Sequence, residues 1–298
     1  MSDKAPQPLT GKDLARKPRG FPDKREALIH AQAQLVETVT GVYRQWGFEA
    51  LDTGAFEYAD ALGKFLPDAD RPNAGVFSLQ DDDEQWISLR YDLTAPLARF
   101  VAEAGQGLGR PFRRYAAGPV WRNEKPGPGR FREFWQCDAD TVGAPGFHAD
   151  AEMIAMGAEA LRAVGMETGE FVLRVNTRRL LNGVLDGVGA ASAETRLAIL
   201  RALDKMDRLG SDGVADLLGK GRMDESGDFT KGAGLGAAEV KAVLAFAEAG
   251  AKTRAETLAN LSKATGSTEE GKAGLAELEA IALALDALGA PEGDVVID

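Results

Sequence analysis

The chain has 298 residues, 44% of them apolar and 27% charged, ordinary values for a soluble globular protein with a sizeable core and about two domains. Its formal charge of −11 argues against a uniformly basic surface for backbone-wide DNA binding, while leaving room for a local basic patch. One cysteine and two distant histidines, His30 and His148, exclude an internal disulfide, a multi-cysteine zinc site and a His-rich metal cluster. No apolar run approaches a membrane span and the first twenty residues lack an apolar signal core, so a cytoplasmic protein with no membrane partner is expected.

Residues 1–20 are polar and basic and read as a flexible arm. Leu28, Leu35, Val39, Val42 and Trp46 recur at helical spacing and predict a helix over 24–46, stopped by Gly47. His30 lies off that stripe and needs no role. A strand and turn are expected over 48–58, and irregular structure over 59–76, where Pro67, Pro72, Asn73 and Gly75 fall. Strands at 76–79 and 86–90 flank an acidic turn at 81–84. Asp92 or Thr94 can cap a helix whose body runs through 97–103, with Pro96 tolerated in its first turn. After a break at 104–111, strands at 112–122 and 131–142 enclose a loop, 123–130, too rich in proline and glycine for a helix. A helix over 149–164, a strand at 171–176 and a helix over 178–188 follow. Near residue 190 the composition shifts to Ala, Gly, Leu, Glu and Lys with almost no aromatics. Helices fit 192–209, 237–249, 254–264 and 270–288, and the glycine-rich 210–236 reads as a partly mobile connector.

The second strand of the long hairpin carries the chemistry. With a side-chain period of two, Arg132, Phe134, Gln136, Asp138 and Asp140 share one face. Phe131, Glu133, Trp135, Cys137, Ala139 and Thr141 share the other, which reads as ordinary core with Cys137 as a packing residue. A cation, an aromatic plane, an amide and two acids can hold a phosphate, a planar base and an ammonium together. The same pattern also fits a solvated hairpin laced with charge, and spacing alone leaves both open. Residues 110–132 hold seven cations, Arg110, Arg113, Arg114, Arg122, Lys125, Arg130 and Arg132, against the single acid Glu124, a local positive field suited to polyphosphate or an RNA end. No phosphate-loop GxxxxGK[ST] and no dinucleotide GxGxxG after a strand is present, so a nucleotide site here must be built from sheet side chains. Asp92, Leu93 and Thr94 open a helix, where a carboxylate and a hydroxyl can serve either as a plain cap or as a seat for an ammonium group.

These residues resemble a known family. WRNEKPGPGRFREFWQCDADTVG at 121–143 is similar to motif 2 of the histidyl-tRNA synthetase family of class II aminoacyl-tRNA synthetases, and LRYDLTAPLARF at 89–100 to its amino-acid-recognition segment. RGFPD at 19–23, GFEALDTGAFE at 47–57 (motif 1) and VNTRRLLNG at 175–183 also fit. The resemblance implies an α+β fold, an antiparallel sheet flanked by helices with a helical insertion domain, and a homodimer through the motif 1 region. It implies an incomplete catalytic core over 21–190, an insertion domain over 191–290 that embraces the acceptor stem of histidine tRNA, and a return to the core at 291–298. It implies activation of histidine by ATP with Mg²⁺, giving histidyl-adenylate, then transfer to the 3′ end of histidine tRNA. Arg122 and Gln136 would be the catalytic pair. Asp92, Leu93, Thr94, Arg122, Gln136 and Asp140 would hold histidine, and Arg122, Glu124, Arg130 and Phe134 would hold ATP.

Two departures stand out. Gly54 occupies the position where motif 1 has proline, which loosens the turn on the dimer side. The family's imidazole-reading element, motif 3 and anticodon-binding domain have no counterpart before Asp298, so a fragment with weak or no adenylation activity alone is expected. The alternatives are a synthetase-like regulatory subunit of an ATP phosphoribosyltransferase and a tRNA-binding fragment without chemistry.

Overall fold

The computed structural model describes residues 11, 14–65, 75–223, 227–265 and 267–298. Most of the expected arm, and Pro67, Pro72 and Asn73, lie outside the described residues. Two compact units divide the chain, 1–144 and 145–298.

The first unit opens with helix α1 (Glu26–Gln45), within a residue or two of its predicted span. Strand β1 (Glu49–Ala50) follows Gly47, whose φ of 79° turns the chain out of the helix. The strand and turn expected over 48–58 are a short strand, β1, and an irregular stretch at 51–55 that leads into a second strand, β2 (Phe56–Tyr58). Strands β3 (Ser78–Gln80) and β4 (Trp86–Leu89) form the predicted acidic hairpin. Asp81 organises its turn by accepting from the amides of Asp83 and Gln85 at 3.0 and 2.8 Å. Helix α2 (Thr94–Ala104) leads to the long antiparallel hairpin β5 (Phe112–Trp121) and β6 (Glu133–Val142). The hairpin loop closes on a Pro128–Gly129 turn, with Gly129 at φ 70° and reciprocal backbone bonds between Gly127 and Arg130.

One sheet has the order β1-β5-β6 and a second the order β2-β4-β3. Residue 90 joins them: its amide donates to the Ala55 carbonyl at 2.9 Å, and its carbonyl accepts from Trp121 at 3.1 Å. The Arg90 side chain is buried and ties the bend to the hairpin, donating to the Thr53 carbonyl at 2.7 Å and the Pro119 carbonyl at 2.9 Å. Gly118 makes room for it, since a Cβ there would lie 2.5 Å from Arg90 Nη2. The arm's end is likewise anchored, because Gly20 accepts from the Arg132 amide at 2.9 Å.

The second unit holds α3 (His148–Ala163), β7 (Leu173–Val175), α4 (Arg178–Gly187), α5 (Ala193–Leu203), α6 (Met206–Leu218), β8 (Gly221–Met223), β9 (Phe229–Lys231), α7 (Ala237–Ala247), α8 (Arg254–Thr265), α9 (Glu269–Ala287) and β10 (Val295–Ile297). Strands β7 and β10 pair in parallel. Val184, Leu185, Ile199, Val214, Leu218 and Val243 form the core among α4, α5, α6 and α7. The helix expected over 192–209 is two helices, broken at Asp204 and Lys205, whose amides donate to Leu200 and Ala202. The stretch read as a mobile connector forms the rest of α6 and the hairpin β8–β9. Ser192 caps α5 by accepting from the Thr195 amide at 3.0 Å. Ser192→Ala is expected to cost about 1 kcal/mol, read as a lower denaturation midpoint at unchanged slope.

Candidate active site

Strand alternation sends Phe112, Arg114, Ala116, Gly118 and Val120 of β5 to the covered face of the hairpin. Their partners across the ladder are Val142, Asp140, Asp138, Gln136 and Phe134. The polar row read from the sequence is therefore continued on the neighbouring strand by a buried arginine. The opposite face is only partly core. Tyr43 of α1 donates to the Cys137 carbonyl at 3.1 Å, but Trp135 is 40% and Phe131 45% exposed, against the expectation for both. Helix α1 packs against both strands of the hairpin, with Tyr43 seated at Cys137.

Arg122 heads the polar row. Its amide donates to the Arg132 carbonyl at 2.9 Å, which fixes the backbone just beyond β5. Its guanidinium carbon lies 4.3 Å from the centroid of the Tyr91 ring and 5.1 Å from that of Phe134. Two aromatic neighbours hold the planar cation while leaving its edge donors for an anion. Glu124 stands close by, with Tyr91 Oη at 3.5 Å and Arg130 Nε at 3.7 Å. Arg132 donates to the Glu124 carbonyl at 2.9 Å and so holds the base of the loop.

The other end of the row is acidic. Arg114 is 1% exposed and donates to the Leu93 carbonyl at 2.7 Å, with Asp140 Oδ2 at 2.9 Å as its ion-pair partner. Asp92 accepts from the Ala95 amide at 2.8 Å, the cap considered from the sequence. Leu93 differs from its expected role: its side chain packs with Ala116, Val120 and Phe134, and only its carbonyl faces polar partners. Gln136 lies between the two ends, opposite Gly118, with a buried Oε1 that has no protein partner.

Burial pushes the carboxyls of Asp138 and Asp140 above the usual carboxylate range. Arg114 opposes the shift in both, and Asp92 adds to it. Burial outweighs attraction for Arg114 too, drawing its guanidinium down from its ordinary value. A carboxyl with a raised folded pKa binds its proton more tightly when folded, so its contribution to stability falls as pH rises from the ordinary carboxylate value through the raised one. Asp138→Asn removes that slope. Its urea midpoint is expected to match the unaltered chain at the acid end and to exceed it at pH 7.

The seven cations do not form one field. Arg113 points to the other face, where it donates to the Trp46 carbonyl at 2.8 Å and lies 4.5 Å from the Phe48 ring centroid. Arg114 is committed to Leu93 and Asp140. Arg122, Arg130 and Arg132 remain together around Glu124 and the hairpin loop. Arg90, Tyr91 and the separate role of Arg114 are not among the site residues expected from the sequence. The available signal was an arginine at an inward position between Phe112 and Ala116. Among the described residues, no three His, Cys, Asp or Glu side chains are gathered as a metal site, and no helix is long and apolar enough to cross a membrane.

The antiparallel hairpin thus presents an arginine between aromatic rings at one end and carboxylates at the other, beside a helix start. The histidyl-tRNA synthetase profile matches residues 20–298, and the chain belongs to that family. Over all of its length it is 59% identical to a histidine–tRNA ligase of Caulobacter vibrioides and 54% identical to one of Brucella ovis. It spans 61% and 59% of those relatives' lengths. A crystal structure of histidyl-tRNA synthetase from Nostoc sp. PCC 7120 superimposes with a TM-score of 0.75 at 27% identity, over 95% of this chain and 60% of the other. A Bacillus halodurans structure described as an ATP phosphoribosyltransferase regulatory subunit/histidyl-tRNA synthetase shares the fold at TM-score 0.74 and 23% identity, over 97% of this chain and 69% of the other.

Proposed function

We propose that the covered face of the β5–β6 hairpin binds ATP and histidine for histidyl-adenylate formation, the first step of a histidine–tRNA ligase. The observation that carries this reading is the row from Arg122, set against Tyr91 and Phe134, through Gln136 to Asp140. An oxygen of the histidine carboxylate attacks the α-phosphorus, the bond to the bridging oxygen breaks, and pyrophosphate leaves with that electron pair. Arg122 contacts both the carboxylate and the α-phosphate. Charge developing at phosphorus is met by a cation that is already positioned and needs no protein nucleophile. Phe134 offers the adenine a stacking surface, and Glu124 and Arg130 flank the phosphates and the amine edge. Asp92, Thr94, Gln136 and Asp140 hold the amino group and neighbouring atoms of histidine, with Leu93 forming the wall beneath. Glu124, the carboxylate on the hairpin loop, would help hold Mg²⁺ beside bound phosphates, and the ion would neutralise phosphate charge.

Transfer of the histidyl group to the 3′ end of histidine tRNA is the second step. The helical segment 191–290 is proposed as the insertion domain for the acceptor stem. Arg201 of α5, Lys205 in the break before α6 and Lys231 of β9 line a pocket of about 160 Å³ there, a fit for RNA phosphate. A homodimer through the motif 1 region is supported by the exposed Phe56, Tyr58 and Leu79 on one face of the β2-β4-β3 sheet. Such partners imply a cytoplasmic location. Relatives named histidine–tRNA ligase favour activation over the regulatory alternative. Calorimetry with 5′-O-(N-L-histidylsulfamoyl)adenosine, a stable adenylate mimic, tests the reading. Binding well above that of AMP is expected, and affinity equal to that of AMP would overturn it.

A further inference from the structure

Arg114 is buried among groups that the amino-acid site uses, yet it has no direct role in the chemistry above. Its Nη2 donates to the Leu93 carbonyl, on the segment that also carries Asp92 and Thr94, at 2.7 Å. The same nitrogen lies 2.9 Å from Asp140 Oδ2 on the neighbouring strand. One nitrogen of a rigid fork thus touches two walls that come from different parts of the chain, 93 and 140. Its Nε and Nη1 have no protein hydrogen-bond partner, and neither do the buried Gln136 Oε1 and Asp140 Oδ2 on the same face, so Arg114 meets Asp140 as an ion pair. An arginine placed here only for packing would leave costly unpaired donors that an apolar side chain of similar size would not.

We propose that Arg114 is a positioning residue for the α-ammonium of the amino acid: it grips the Leu93 carbonyl and the Asp140 carboxylate together and so sets the spacing between the recognition segment and β6. The inference rests on the histidine-activating reading. The charged and titratable groups around Asp140 are Asp138 on its own strand, Arg114 on β5, Asp92 before α2 and Tyr43 on α1, whose phenol burial holds up at about 12. Arg114 is the cation buried with these carboxylates. Without it, burial and the charge of Asp92 leave Asp140 more readily protonated, and a protonated Asp140 loses its charge-assisted hold on an ammonium.

The test is calorimetric binding by the intact chain of three probes: the histidyl sulfamoyl-adenosine, the same compound without its α-amino group, and ATP. Arg114→Met is expected to bind the histidyl probe about 10-fold more weakly, and the desamino probe and ATP within about 2-fold of the unaltered chain. The loss is expected to be largest at pH 5.5 and to shrink toward pH 8. Arg114→Lys keeps the charge without the planar fork. It is expected to lose several-fold for the histidyl probe alone, with little pH dependence, and it carries the comparison if Arg114→Met does not fold. Equal losses for all three probes would mark a merely structural role and overturn the proposal, as would unchanged binding of the histidyl probe. If the unaltered chain binds none of the three, the activation reading falls and takes this inference with it.

Discussion

Arg122→Gln is expected to slow histidine-dependent ATP–pyrophosphate exchange by about 100-fold or more, the usual loss when one pre-placed donor to a developing oxyanion is removed. The size of the effect follows from how Arg122 is held. Its backbone is bonded to Arg132, its Nε lies 3.4 Å from the Tyr91 carbonyl, and its guanidinium rests near the rings of Tyr91 and Phe134. Little conformational freedom is left to lose when it meets a phosphate. Glutamine retains a polar end but neither the charge nor the fork. Unfolding midpoints should stay close to those of the unaltered chain, because Arg122 is only partly buried at the edge of the site. A fall of only a few-fold would remove Arg122 from the reaction.

The second large effect is one of stability. Helices α4 and α9 approach at glycines on both sides. A Cβ on Gly183 would lie 2.6 Å from the Gly271 backbone, and one on Gly274 would lie 2.7 Å from the amide of Leu180. A Cβ on Gly271 would collide with the Thr265 carbonyl and come within 2.9 Å of Thr268 Oγ1. That hydroxyl caps α9 by accepting from Gly271 at 3.1 Å and donates to the Gly183 carbonyl at 3.3 Å. Gly271→Ala is therefore expected to strain backbone and cap together and to cost about 3 kcal/mol, measured by urea denaturation. Gly187→Ala is the control, since its Cβ would meet Thr268 Cγ2 at an ordinary 3.7 Å. It should be neutral or mildly stabilising, because alanine is the better helix former.

The ladder and the helices were legible wherever periodicity and punctuation agreed. Period-two alternation gave the composition of the polar row on β6, and the Pro-Gly loop gave the hairpin. Burial was less legible, because alternation names two faces without saying how far a neighbour extends over each. Trp135 and Phe131, on the same face as Cys137, are 40% and 45% exposed. The break between α5 and α6 was hidden because Leu203, Met206 and Leu209 keep helical spacing across it and pack on the same core. Parallel pairing of β1 with β5 and of β7 with β10 joins residues far apart in the chain and leaves no local signal. Arg114 was counted as one cation among seven, although its inward position set it apart.

The same sheet face is claimed to hold histidine and ATP in reach of one another. The direct measurement is ATP–pyrophosphate exchange by the intact chain, with and without histidine, beside Arg122→Gln. Exchange that requires histidine and is lost on substitution of Arg122 is expected. Exchange that is absent, independent of histidine, or indifferent to Arg122 would contradict it.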